Sequence, residues 1–323
     1  MRVVSLLPSA TEVVRLLAGP GPSRIGLVGR SHECDFPEDV KRIPAITSQR
    51  TAFSPPQAVD REVGKQAGAG QSLCTLDTRM LAALKPDLIL TQDLGQGPWV
   101  DLETVRRAAG AMAPAPEILA ISPRGFEDAL DDILRIGEAL GLESEARLAV
   151  TGLRARAFRA QEYVPAFAPG PSAAFLEWTD PLRVAGHWTA QLIERAGASY
   201  PLNPTAPQAR AGAAAGPMQS QRLAGGPRWV EPEALVASAP EVLIICPRGM
   251  DLARTRAAAA AAAEQAWFGA LPAVRAGRVA LVDGSQFHRP GPRLVDALEW
   301  LVAWLHGRPE LMPPGFAWEP WEG

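Results

Sequence analysis

Cysteine, histidine and tyrosine are scarce in this chain of 323 residues, numbering three, four and two. Cys34, Cys74 and Cys246 lie far apart with no CxxC spacing, which excludes a zinc ribbon and a disulfide framework. No run of Lys and Arg occurs and the formal net charge is -3, so no basic face for nucleic acid is expected. Long apolar runs are also missing: the Ala257 to Ala263 stretch is short and flanked by Arg256 and Glu264, well below the roughly 18 residues of a membrane span. At the N-terminus the apolar Val3 to Leu7 is broken by Pro8 and leads at once into helix-start chemistry, leaving no room for an export signal. The expectation as written is cytoplasmic, and periplasmic or extracellular if an export segment lies upstream. GxxxxGK[ST], GxSxG and HExxH are absent, and with them the usual marks of nucleotide, serine-esterase and zinc-protease chemistry.

What the chain does have is apolar content, 47%, and enough length for two domains. Val3-Val4-Ser5-Leu6-Leu7 reads as a buried strand, and Ser9-Ala10-Thr11-Glu12 fits a capping box that starts a helix from about Ala10 to Ala18. Asp77 caps a second helix through Leu84; Lys85-Pro86-Asp87 breaks it, and Leu88 to Thr91 enters the sheet. The same grammar recurs: "LDTRMLAALKPDLILTQD" from Leu76 and "VEPEALVASAPEVLIICP" from Val230 each give an acidic start, an Ala/Leu-rich helix, a Pro-acid break and an apolar strand. This alternation predicts an α/β protein with two similarly built lobes.

Between them, helix formers dominate from Phe126 to Leu140 and from Glu143 to Tyr163, with a break at Gly141. The second helix would span roughly 30 Å and act as a strut. The expected division is therefore a lobe over residues 1–125, connecting helices over 126–165, and a second lobe over 166–323. Asn203 to Gly226, rich in Ala, Gly and Pro, reads as a mobile surface loop. A last amphipathic helix from about Pro292 to His306 precedes an irregular tail, "PPGFAWEPWEG".

Ligands of open α/β sheets collect beyond the carboxyl ends of the strands. The segments in those places are Leu7 to Thr11, "RSHECDFP" from Arg30, Thr91 to Gly95, Glu177 to Pro181 with Gly186-His187-Trp188, Cys246 to Gly249, and Asp283 to Arg289. They hold three of the four histidines; His306 is better placed as a partner for a helix C-terminus. In an extended RSHECDFP loop, His32 and Cys34 would share one face and Glu33 and Asp35 the other. That pattern suits a thiolate–imidazolium pair, a soft metal site or one wall of a pocket, while Asp35 could simply organise a turn. Trp178, Trp188 and Phe287 serve either as core or as the flat wall of a ligand pocket. Arg289 and Arg293, flanking Pro290-Gly291-Pro292, either hold an anionic group or face solvent.

Five segments in order, "VVSLLPSATEVV", "LVGRSHECDFP", "LKPDLILTQDL", "FLEWTDPLRVAGHW" and "ALVDGSQFHRPGPRLVDALEWL", resemble the cobalamin-type substrate-binding proteins of ABC importers. These belong to the helical-backbone class of periplasmic binding proteins, which also takes haem and iron–siderophores. The likeness runs from Arg2 to about His306 and implies two α/β lobes joined by one long rigid helix, with the ligand in the cleft between them. It implies a monomeric, non-catalytic protein with no catalytic cofactor, whose ligand is cobalamin or a related corrinoid. Pro8, Ser9, His32, Glu33, Cys34, Gln92 and Asp93 would form one wall, and Trp178, Asp180, His187, Trp188, Phe287, His288 and Arg289 the other. His32 or His288 could reach the central metal as an axial ligand. Haem or a ferric siderophore is the alternative cargo; Tyr163 and Tyr200 fall in the strut end and a surface loop, so a histidine would have to serve as ligand. A further alternative is a cytoplasmic corrinoid-handling protein or an enzyme using Cys34 with His32. Docking to an ABC permease would use an acid on each lobe; Glu103 matches on the first, whereas the region near Gly186 has none.

Overall fold

A computed structural model describes residues 1–20, 24–49, 74–93, 99–208 and 222–323. The chain divides into two compact units, the first made of residues 1–123 and 130–151, the second of 124–129 and 152–323.

In the first unit, β1 (Arg2–Ser5), α1 (Pro8–Ala18) and β2 (Gly26–Arg30) are followed by a short antiparallel pair, β3 (Thr47–Gln49) and β4 (Cys74–Leu76). Then come α2 (Thr78–Leu84), β5 (Leu88–Gln92), α3 (Leu102–Gly110) and β6 (Glu117–Ile121). The main sheet is parallel in the order β2-β1-β5-β6. Its central strands are buried on both faces, which is why Val3-Val4 and Leu88-Ile89-Leu90 are uninterrupted apolar runs rather than alternating ones. The chain leaves β1 toward β2 on one side and later toward β5 on the other, so the order reverses between β1 and β5.

The expected capping box does not form. Helix α1 begins at Pro8 behind Leu7, with no side-chain cap, and both Ser9 and Glu12 are buried. Proline suits the first helical position because its missing N–H would have no intrahelical partner there. By contrast Asp77 does cap α2, accepting from the Met80 amide at 2.8 Å.

Two helices connect the units, α4 (Phe126–Leu140) and α5 (Glu143–Gln161). Gly141 turns the chain between them in the left-handed region, φ +62°. A Cβ at Gly137 would lie 2.3 Å from that of Ala146, so only glycine permits this approach. Both helices are shared between the units, with 126–129 and 152–161 in the second and the remainder in the first.

The second unit contains β7 (Ala173–Thr179), β8 (Leu182–Val184), α6 (His187–Arg195), the pair β9 (Ala206–Pro207) and β10 (Arg222–Leu223), and β11 (Arg228–Trp229). It continues with α7 (Pro232–Ala237), β12 (Val242–Ile245), α8 (Leu252–Ala263), α9 (Ala266–Ala270), α10 (Pro272–Arg275), β13 (Val279–Val282), α11 (Leu294–His306) and β14 (Trp318–Pro320). Strand order is β11-β8-β7-β12-β13-β14, with a parallel centre of β7, β12 and β13 and antiparallel edges. The tail is thus not wholly irregular: Trp318–Pro320 pairs with β13, and Phe316 and Trp318 pack on the fully buried Trp300. Of the loop expected over 203–226, residues 209–221 lie outside the described residues, and the flanks form the β9–β10 pair.

The repeated helix-to-strand connector is echoed in the backbone. Lys85 and Ala239, each just before the proline of its repeat, both adopt φ +43°, a left-handed turn uncommon for residues other than glycine.

Candidate functional site

In the first unit the carboxyl ends of β1, β2 and β5 lead into the segments holding Pro8 and Ser9, His32 to Cys34, and Gln92 and Asp93. Here the extended reading of RSHECDFP fails. His32 and Glu33 form a turn, and the Cys34 amide donates back to the Ser31 carbonyl at 3.1 Å. The turn sends Cys34 inward, 1% exposed, where the Thr11 hydroxyl donates to its sulfur at 3.1 Å. The thiol therefore does not share an open face with His32. That ring instead sets Nδ1 2.7 Å from the Thr47 hydroxyl, which also accepts from the His32 amide at 3.0 Å. Burial lowers the His32 pKa first, Glu33 opposes this and Arg30 adds to it. Glu33 and Asp93 are exposed, Pro8 and Gln92 partly buried.

The second unit's loops follow β7, β12 and β13. Leu176 pairs with Val184 and Trp178 with Arg183, so Glu177 is an additional residue in β7, a bulge. Bulges re-aim side chains at sheet edges and beside functional sites. Its carboxyl group is buried, and desolvation raises its pKa to about 7 against the pull of Arg183, Arg248 and the Gly186 amide. At 3.8 Å stands Nδ1 of His288, whose Nε2–H donates to the Cys246 carbonyl at 2.7 Å. Burial takes His288 down to about 4, partly offset by that carbonyl, with Arg248, Arg183 and Arg289 adding to the fall. His288 is thus an enclosed group, with one ring nitrogen on the Cys246 carbonyl and the other toward the Glu177 carboxyl group, rather than the open imidazole expected of an axial metal ligand.

Phe287 is likewise corrected: it is 0% exposed, edge-on to Phe175, Trp300 and Phe316, and belongs to the core rather than to a ligand wall. Its carbonyl, however, accepts from the Trp188 indole N–H at 2.7 Å. Trp188 stacks with His187 at 5.6 Å between ring centroids. His187 opens α6 with φ +48°, its pKa lowered by burial and then by Arg124 and Arg183. Asp180 is exposed, whereas Trp178 and Arg289 are partly buried. His306 ends α11 as expected of a cap partner, but for another helix: its Nε2–H donates to Ala196, which follows α6, at 2.7 Å.

Sequence reasoning missed three contributors. Thr47 sits on a short strand with no motif around it, and Arg183 and Trp229 lie on short edge-side strands whose pairing the sequence does not announce. A cavity of about 670 Å³ in the second unit, lined by Arg156, Tyr163, Asp296 and Glu299 among others, involves none of these loops. Three of its charged groups are engaged with one another, Arg156 gripping Asp296 and Glu299 at 2.5 Å each. Among the described residues no group of three or more His, Cys, Asp or Glu side chains could hold a metal ion, and no helix is long and apolar enough to cross a membrane.

No protein-family model and no curated protein sequence matches the chain. Solved structures do. A periplasmic haem-binding protein, BhuT, in complex with two haems, is similar at 23% identity and TM-score 0.68, covering 97% of this chain and 99% of that one. The periplasmic vitamin B12-binding protein BtuF of Vibrio cholerae is similar at 18% identity and TM-score 0.63, covering 94% and 96%. The haem-binding HutB of the same organism gives 15% identity, TM-score 0.67, and coverage of 95% and 99%. The fold is that of the periplasmic binding proteins. It covers nearly the full length of the chain, and its relatives carry haem in some cases and vitamin B12 in another. The cytoplasmic expectation draws no support from these likenesses.

Proposed function

We propose that this chain is a substrate-binding protein for an ABC importer, working outside the cytoplasmic membrane, which captures a large planar tetrapyrrole-type ligand without transforming it. The cargo in the first reading is a cobalamin-like corrinoid. The observation that carries this is the aromatic group at the carboxyl end of β7 and the start of α6, where Trp178, His187 and the stacked Trp188 sit beside several arginines. Flat rings can cover a macrocycle, and donors around them can meet its polar rim. An enzymatic role for Cys34 is disfavoured by the same packing that buries its thiol against Thr11, where no substrate atom could approach. Glu103, exposed in the first turn of α3 and 4.0 Å from Arg107, is the proposed permease contact on the first unit.

Haem is the second reading, favoured by the excess of arginine near His187 and His288 and by the haem-binding relatives. Tyr200 could not ligate its iron, being 2% exposed with its hydroxyl bonded to the Ala185 carbonyl at 3.1 Å; His32 or His187 would have to. The experiment is a titration of the purified protein with cobalamin, cobinamide and haemin, followed by visible absorbance and calorimetry. Binding at micromolar Kd or tighter, about -8 kcal/mol, is expected for the corrinoids. Binding of haemin alone selects the second reading, and no ligand held more tightly than about millimolar rejects both.

A further inference from the structure

Arg183 occupies the centre of a cross-strand ladder. Trp178 of β7 is its partner on one side and Trp229 of β11 on the other. Directly opposed residues project from the same face of a sheet, so the three side chains stand in a row. The Arg183 guanidinium carbon lies 4.9 Å from the centre of the Trp229 ring, a cation–π contact that holds its plane. Trp229 is 48% exposed, an unusual state for so large an apolar group.

Two donors of this row, Nε1–H of Trp178 and Nε–H of Arg183, are buried with no hydrogen-bond partner among the described residues. A buried donor left without an acceptor destabilises the fold that holds it. Their position side by side, with a ring left open next to them, fits an acceptor that arrives with a ligand. The field has the matching sign. Arg183 acts on Glu177, His187 and His288, and Arg124, Arg248 and Arg289 act on one or more of these groups as well. The acids of the same loops are Glu177, which is buried, Asp180 and Asp283.

Building on the tetrapyrrole reading above, we infer that Arg183, together with the Trp178 indole N–H, is a specificity-determining residue that grips an anionic group on the rim of the cargo, while Trp229 covers the adjoining apolar surface. An oxyanion of this kind is a propionate carboxylate on a porphyrin or the phosphodiester of a corrinoid's nucleotide loop. A guanidinium meets such an oxyanion through charge-assisted hydrogen bonds, and the neighbouring indole N–H offers a further donor.

The test compares wild type, Arg183→Gln and Arg183→Lys with two matched pairs, cobalamin against cobinamide, which lacks the nucleotide loop, and haemin against its dimethyl ester. Wild type should hold the anionic member of one pair about ten- to a hundredfold more tightly than its neutral-rimmed partner. Arg183→Gln should erase that preference while leaving the partner's Kd within about twofold, and Arg183→Lys should retain part of it. Whichever pair shows the effect identifies the source of the oxyanion. Circular dichroism and thermal melting verify that the variants fold, and should Arg183→Gln not fold, loss of preference in Trp229→Leu is the required result. If wild type binds none of the four, the tetrapyrrole reading falls and this inference with it. If wild type binds but the variants keep its preference, or it has none, only the role of Arg183 is overturned.

Discussion

In the first unit His32 stays partly exposed and meets one hydroxyl, whereas in the second His288 is closed in between the Cys246 carbonyl and the Glu177 carboxyl group. Both histidines follow a parallel strand, and the difference comes from what surrounds them. A turn at His32-Glu33 lifts the ring toward solvent and buries the cysteine beneath. Around His288, a bulge and an aromatic core shut water out. Enclosure changes the protonation state of a whole pair. Unfolded, near pH 5.5, Glu177 is ionised and His288 protonated, from ordinary values of 4.5 and 6.5. Folded, with values of about 7 and about 4, both are neutral. The pair therefore holds one proton in either state, and folding moves the proton from imidazole to carboxylate.

The strongest way to break this contrast is Phe287→Ala, which opens the core beside His288. It should cost about 3–5 kcal/mol in urea unfolding, because a fully buried aromatic is lost. The pH experiment comes next. The raised Glu177 value contributes stability that is present below pH 4.5 and lost as pH rises through about 7; the lowered His288 value contributes stability that is present above 6.5 and lost as pH falls through about 4. Between about 4.5 and 6.5 the two slopes cancel in the wild type. In Glu177→Gln stability should rise with pH across that window, and in His288→Asn it should fall, each by on the order of 2–3 kcal/mol. Parallel profiles for the two variants would refute the neutral pair. A smaller effect is expected from Cys34→Ser: about 1 kcal/mol of stability lost, with cargo affinity unaltered, as fits a buried thiol with no chemical task. At the mild end, Phe36→Ala, 46% exposed in the same segment, should move the unfolding midpoint by no more than about 0.5 kcal/mol.

Much of the architecture could be read from residue order. The Pro-acid connectors after α2 and α7, the Asp77 cap, the break at Gly141 and the apolar runs of β1, β5 and β12 are local signals, and each emerges as an element with nearly the expected limits. The site was less legible because its decisive features are not local. Alternation in RSHECDFP assumes an extended chain, and the turn that defeats it is held by Thr11 and Thr47, distant in sequence. Phe287 looks like a loop aromatic until Trp300 and Phe316 close over it. Arg183 and Trp229 become neighbours only through strand pairing, and Glu177 acquires its unusual acidity only once the surrounding shell is assembled.

The extra residue in β7 has one more implication. Leu176 and Trp178 are two apart and in a regular strand would point the same way, yet the slip at Glu177 directs the indole to the opposite side from Leu176, level with Arg183 and Trp229. Deleting Glu177 would make Trp178 the direct successor of Leu176 in a regular ladder, still opposite Arg183, so the row would survive while the buried carboxyl group beside His288 disappeared. The bulge thus lodges an acid in the strand without displacing its aromatic neighbour, and a one-codon deletion there would remove the one and spare the other.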